Sequence, residues 1–144
     1  MNEQELKQTI IKILDDHQIG TMATIANQRP HSRYMTFFHD NFTLYTATSK
    51  DTHKVDDLRQ NPYVHIIIGY SYEGIGDQYL EIEGQCELHD EPLIKDRLWN
   101  DKLKHWFSGP EDPNYLVLKI TPSEFHLKNT NDHQNHRYKP TISD

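Results

Sequence analysis

The chain has a single cysteine, Cys86, in 144 residues. That excludes an intrachain disulfide, and it excludes a zinc site built on two or more thiolates. A reducing, cytoplasmic setting is the expectation. Basic residues are in the minority: 15 Lys and Arg against 22 Asp and Glu give a formal charge of −7. With no basic cluster, a nucleic-acid surface is not expected. Apolar runs are short. Ile66-Ile67-Ile68 falls far below the ~20 residues needed to span a bilayer, so no membrane partner is expected. The first residues, Met1-Asn2-Glu3-Gln4-Glu5, carry no charged-then-apolar leader pattern. There is no Gly-x-Ser-x-Gly elbow to suggest a serine hydrolase, and no glycine-rich phosphate loop.

What remains is a polar chain, 35% hydrophobic, with its Val, Ile, Leu and aromatic residues in clusters. Its length suits one domain of roughly 100–200 residues. Residues 3–17 read as a helix, because Leu6, Ile10, Ile13, Leu14 and His17 recur at spacings of three and four. From Thr21 the period drops to two. Strands are expected near 21–26, 31–38 and 42–47, with a turn at His39-Asp40-Asn41; the short connections make an antiparallel meander. Residues 49–61 read as a helix capped by Asp51 or Thr52. Residues 62–72 form an apolar strand expected to be buried on both sides, and 78–88 alternate cleanly. Residues 90–107 read as one or two helices, with Trp99, Leu103 and Trp106 on one face at i, i+4 and i+7. That stripe suits core, dimer interface or ligand contact. The last strand, 115–128, is expected to break at Thr121-Pro122. The polar segment 130–144 is expected to be a disordered tail or an arm laid on a partner. Short strands with few helices suggest a small barrel, which removes exposed edges.

The candidate chemistry lies in two neighbouring stretches. Arg33 sits inside a strand, and Thr52-His53-Lys54 opens a helix. A guanidinium, an ammonium and a hydroxyl beside helix N–H groups make a phosphate site. On spacing alone, the same residues also read as a solvated arginine and a solvated lysine. The ten histidines read as scattered and exposed: His133 with His136, and His31 with His39, lack a convincing carboxylate arrangement, so no metal is expected. Glu87 beside Cys86 disfavours a reactive thiolate.

Arg33-Tyr34-Met35-Thr36, Tyr45-Thr46, Thr52-His53-Lys54, Asn61-Pro62-Tyr63-Val64, residues 79–85 and residues 98–107 stand in an order that resembles the pyridoxamine 5′-phosphate oxidase-like split-barrel family. The segment from Trp99 to Phe107 is most similar to its bacterial general stress protein subgroup. The resemblance runs from about Leu6 to Lys128. It implies an α+β fold: a six-stranded antiparallel split barrel with flanking helices, spanning residues 1–129. It implies a homodimer with FMN at the subunit interface. By that resemblance Arg33 and Lys54 hold the FMN phosphate, with Thr52 or His53 assisting. The backbone of Arg33, Tyr34, Met35 and Thr36 follows the ring edge, and Tyr45 and Thr46 touch it from the adjacent strand. Gln78, and Trp106 or else Trp99, reach the flavin of the other subunit. A deazaflavin or haem is the alternative cofactor. The implied activity is stress-related oxidoreduction of a small molecule; the alternative is a non-enzymatic flavin-binding or flavin-buffering protein. Oxidation of pyridoxamine phosphate itself is not expected. Phe38 stands where those oxidases carry lysine, and Phe125-His126-Leu127-Lys128 lacks their arginine–histidine pair.

Overall fold

The computed structural model describes all residues from Met1 to Asp144. Asn2 starts α1 (Glu3–Asp16), its side chain accepting from Glu5 N–H and so satisfying one of the helix's free first-turn donors. The stripe Leu6, Ile10, Ile13 and Leu14 is buried. It lies in the main core with Met22, Leu44, Ile66, Leu80, Ile82, Ile120 and Phe125 from the strands.

The strands are β1 (Ile19–Ala26), β2 (Arg29–Thr36), β3 (Phe38–Asp40), β4 (Thr43–Ser49), β5 (Tyr63–Ile68), β6 (Tyr79–His89), β7 (Tyr115–Lys128) and β8 (His136–Tyr138). They form one antiparallel sheet in the order β2-β1-β5-β6-β7-β4-β3, with β8 added beside β7. The two ends of this path are consecutive in the chain. β2 pairs with β1 up to Thr36, Phe37 turns, and β3 then pairs with β4 from Phe38. Counted as one bent strand, β2 and β3 close a six-stranded barrel whose seam is open between β2 and β4. The fold is thus the mostly β split barrel. The single strand expected over 31–38 is in fact two, and the expected turn at His39-Asp40 is instead β3.

Other expectations need correction. The second helix, α2 (His53–Gln60), begins later than residue 49 because Ser49 still belongs to β4. β5 is buried on one side only, through Val64, Ile66 and Ile68, while Tyr63 and Ile67 are exposed. A one-layer barrel has its core inside, and no element of this chain covers that outer face. Residues 90–107 form α3 (Pro92–Leu98) and a short 3-10 helix (Asp101–His105), broken where Trp99 takes an extended ψ of 133°. The break scatters the expected stripe. Trp99 packs edge-on to Tyr115 at 5.7 Å, whereas Trp106 is 65% exposed.

β7 runs unbroken through Thr121-Pro122. The register against β6 slips between Glu83 and Gly84, so Gly84 faces Pro122. A Cβ on Gly84 would come within 2.9 Å of the Thr121 carbonyl; only glycine lets the two backbones pass so close. The segment after Asn129, expected as a disordered tail or partner arm, folds back on its own chain. β8 pairs with β7, Tyr138 is buried against Phe42, and Asp144 bonds Lys7. Two aromatic rings make an anchor that a polar composition conceals.

Candidate cofactor-binding site

A cleft of about 570 Å³ runs along the open seam, between Tyr34, Met35 and Thr36 of β2 and Thr46 to Ser49 of β4. Thr52 and Lys54 form one part of its wall, and Leu103, Trp106 and Phe107 another. Its size lies within the range of about 300–1,000 Å³ common for small-molecule sites. Where the β2–β4 ladder is missing, the Thr46 hydroxyl donates to the Thr36 carbonyl at 2.7 Å.

Arg33 and Lys54 are close enough to feel each other's charge. Arg33 is partly buried, and its Nη1 donates to the Thr24 hydroxyl at 2.7 Å and to the Met22 carbonyl at 3.2 Å. β1 therefore aims the guanidinium through the neighbouring strand. Lys54 makes its one side-chain polar contact with Met35 Sδ at 3.7 Å, and no carboxylate pairs with either cation. Burial lowers the Arg33 pKa, with Asp57 opposing. Burial also lowers that of Lys54; Arg33 adds to the effect and Cys86 opposes it. Two cations sharing a half-buried place repel each other, and an anion between them would relieve both. Thr52 occupies the N-cap position of α2, but its hydroxyl donates back to the Ser49 carbonyl at 3.1 Å and caps no N–H. The first-turn amides of α2 stay free of side-chain partners beside Lys54.

Of the residues expected to meet a cofactor, Tyr34, Met35, Thr36, Thr46, Thr52, Lys54 and Trp106 line this cleft. Arg33 adjoins it through Lys54. Trp106 lines the cleft of its own chain. Tyr45 lies elsewhere. It packs with the satellite core around Tyr115 and lines a separate hollow with Phe38 and Trp99. Residues of both strand parities from Thr46 to Ser49 reach the cleft, so it is the packing of the Tyr45 ring on the satellite core that takes it away. His53 is exposed on the first turn of α2, and Gln78 precedes β6, outside the cleft. Thr48 and Ser49 were missed; continuing the alternation from Thr46 would have found Thr48. Leu103 is part of the expected Trp99–Trp106 stripe, and Phe107 was not singled out.

Cys86 is buried, and its pKa is pushed up to about 12, by burial first and then by Glu87. It is an inert thiol.

The closed-sheet order, the open seam and the cation pair beside it define a split-barrel protein with a cofactor-sized cleft. A family model described as pyridoxamine 5′-phosphate oxidase matches residues 6–129, and the chain belongs to that family. It is 46% identical over 132 residues to general stress protein 26 of Bacillus subtilis (strain 168), covering 92% of this chain and 94% of that one. The crystal structure of general stress protein 26 from Bacillus anthracis str. Sterne is 35% identical, covers 93% of this chain and 99% of that one, and superposes with a TM-score of 0.81. A pyridoxamine 5′-phosphate oxidase-related, FMN-binding protein from Nostoc punctiforme PCC 73102 shares the fold. It is 14% identical, with a TM-score of 0.67 over 98% of this chain and 100% of that one.

Proposed function

We propose that this protein is a homodimeric, cytoplasmic FMN-binding flavoprotein that passes electrons to or from a small molecule under stress. The observation that carries this reading is the Arg33–Lys54 pair, two partly buried cations without an ion-paired carboxylate, with Lys54 on the wall of an apolar-walled cleft and Arg33 beside it. FMN has the matching chemistry: a doubly charged phosphate for the pair and a flat ring for the slot between β2 and β4. Backbone groups of Tyr34 to Thr36, left without a β-ladder partner on the seam side, suit the polar ring edge. Trp106 and Tyr34 offer aromatic cover. When bound, the flavin supplies the redox chemistry; the residues bind it, orient it and exclude water. Haem fits less well, since no histidine lines this cleft to serve as an axial ligand.

Dimerisation is supported by the uncovered outer sheet face, where Tyr34, Ile67 and Tyr63 stand exposed on β2 and β5, on either side of β1. Large exposed apolar side chains gathered on one sheet face, here interspersed with Thr21 and His65, suit a protein interface. Gln78 then becomes available to a partner's cleft.

The purified protein is expected to be yellow, to release FMN on denaturation and to sediment as a dimer. A colourless monomer that fails to take up added FMN would overturn the proposal. The flavin-buffering reading draws support from the cleft itself, which has no carboxylate or histidine on its wall. Anaerobic reduction by NADH or NADPH, followed by rapid mixing with acceptors, separates the two: an enzyme is reoxidised with saturation, and a buffer is not.

A further inference from the structure

We infer that the cleft opens into a second chamber that selects a small aromatic carboxylate or sulfonate, and that this chamber is the substrate site of the proposed flavoprotein. A cavity of about 600 Å³ lies next to the cleft, and Ile19, Thr36, Leu103 and Trp106 belong to the walls of both. The largely exposed indole of Trp106 stands at the junction. A ring held there touches the cofactor cleft on one side and the chamber on the other.

The charge of the chamber is set by which groups are already paired. On one wall, α1 ends in Asp15 and Asp16. Asp15 is bonded by His39 Nε2 at 2.6 Å, and Asp16 by Lys12 Nζ at 2.7 Å. On the other wall, the 3-10 helix presents Lys102 and His105. At about three residues per turn, positions i and i+3 eclipse, so these two share a side. Asp101 and Lys104, one position earlier, pair with each other at 3.1 Å on the flank. Neither Lys102 nor His105 has a carboxylate within ion-pairing distance. Asp16 is ion-paired and Asp15 is hydrogen-bonded, whereas Lys102 and His105 have no carboxylate partner, which favours a carboxylate or sulfonate at their side of the chamber. The apolar junction at Ile19, Leu103 and Trp106 suits the ring that carries it.

The inference rests on the flavoprotein reading, and the test separates the two. The probes are 4-nitrobenzoate and its uncharged analogue 4-nitrobenzamide, titrated into FMN-loaded protein. Quenching of tryptophan fluorescence is followed, with Trp106→Phe to identify the reporting residue. The carboxylate is expected to bind about tenfold tighter or more, the scale of a hydrogen-bonded charge. In the Lys102→Gln/His105→Gln double variant, whose exposed side chains carry no core packing, that preference is expected to vanish while FMN affinity holds. Equal affinity for the two probes, or a preference that survives the double variant, overturns the chamber. If FMN fails to bind but flavin-free protein still prefers 4-nitrobenzoate in a Lys102- and His105-dependent way, the anion site stands and the flavin reading falls.

Discussion

The Thr46 hydroxyl donates to the Thr36 carbonyl at 2.7 Å, replacing with one side chain the ladder that β2 and β4 do not make. The barrel stays together at this point and opens beyond it. The seam therefore holds main-chain groups facing a cavity instead of a neighbouring strand. A cofactor with a polar edge can use what the missing ladder leaves free.

The cation pair gives the most direct test. Lys54→Ala is expected to weaken FMN binding by about 1.5–3 kcal/mol, the range for hydrogen bonds to a charged group. Arg33→Ala is expected to do the same and also to lower stability, since it strips the buried Thr24 hydroxyl of its partner. Riboflavin, without the phosphate, should bind parent and Lys54→Ala alike. Fluorescence titration of both flavins decides this, and unchanged FMN affinity in both variants would show that the phosphate sits elsewhere.

The pH dependence follows from the depressed Lys54 pKa. Its ordinary value is 10.5, and burial beside Arg33 brings it lower in the free protein. FMN affinity is therefore expected to be level near neutrality and to fall as pH rises, beginning below 10.5. The linkage to folding has the opposite sign. Below that pH the unfolded chain binds the Lys54 proton more readily than the folded one, so this residue's contribution to stability improves as pH rises through the folded pKa. Titrations from neutral to alkaline pH, with riboflavin to subtract the ring's own ionisation, measure the first effect. Lys54→Arg should keep its affinity across the range, and an equal decline in that variant would assign the effect to another group.

The C-terminal segment should behave as part of the barrel. Tyr138 packs against Phe42 with the rings tilted by 46° and 5.1 Å apart, carries Lys7 over its ring at 5.7 Å and bonds Asp144 through its hydroxyl. Tyr138→Ala is expected to cost about 3 kcal/mol in urea unfolding. His133→Ala, on the exposed turn before β8, should stay within about 0.5 kcal/mol of the parent. Similar small effects from both would mean that β8 is detached in solution.

Pyridoxamine and pyridoxine 5′-phosphate are expected to be poor substrates. Phe38 packs against the satellite core where those oxidases carry a lysine. His126 stands between Glu83 at 3.9 Å and Glu124 at 3.6 Å, an acidic setting that repels a phosphate dianion. A steady-state assay for pyridoxal phosphate with FMN-saturated protein checks this. Turnover of about 1 per second or faster, in the ordinary enzymatic range, would reveal a phosphate clamp outside these two positions.

Much of the architecture was legible in residue order. The helical stripe Leu6, Ile10, Ile13 and Leu14, the alternation of 78–88 and the short turns are local patterns, and local patterns survive folding because each side of an element meets one environment. Arg33, Met35, Thr36, Thr46 and Lys54 were singled out through the family resemblance; strand position and helix start alone left Arg33 and Lys54 readable as solvated side chains. Tertiary structure alone decided the rest. Whether Phe37 continues a strand or switches its partner depends on β1 and β4, far apart in the chain. The one-sided burial of β5 depends on whether a second layer covers the barrel. The positions of Trp99 and Trp106 turned on a backbone break that helical periodicity does not register. Tyr138 was lost in a polar tail because burial of one ring needs only one complementary hollow, here beside Phe42, and no sequence period records a single contact.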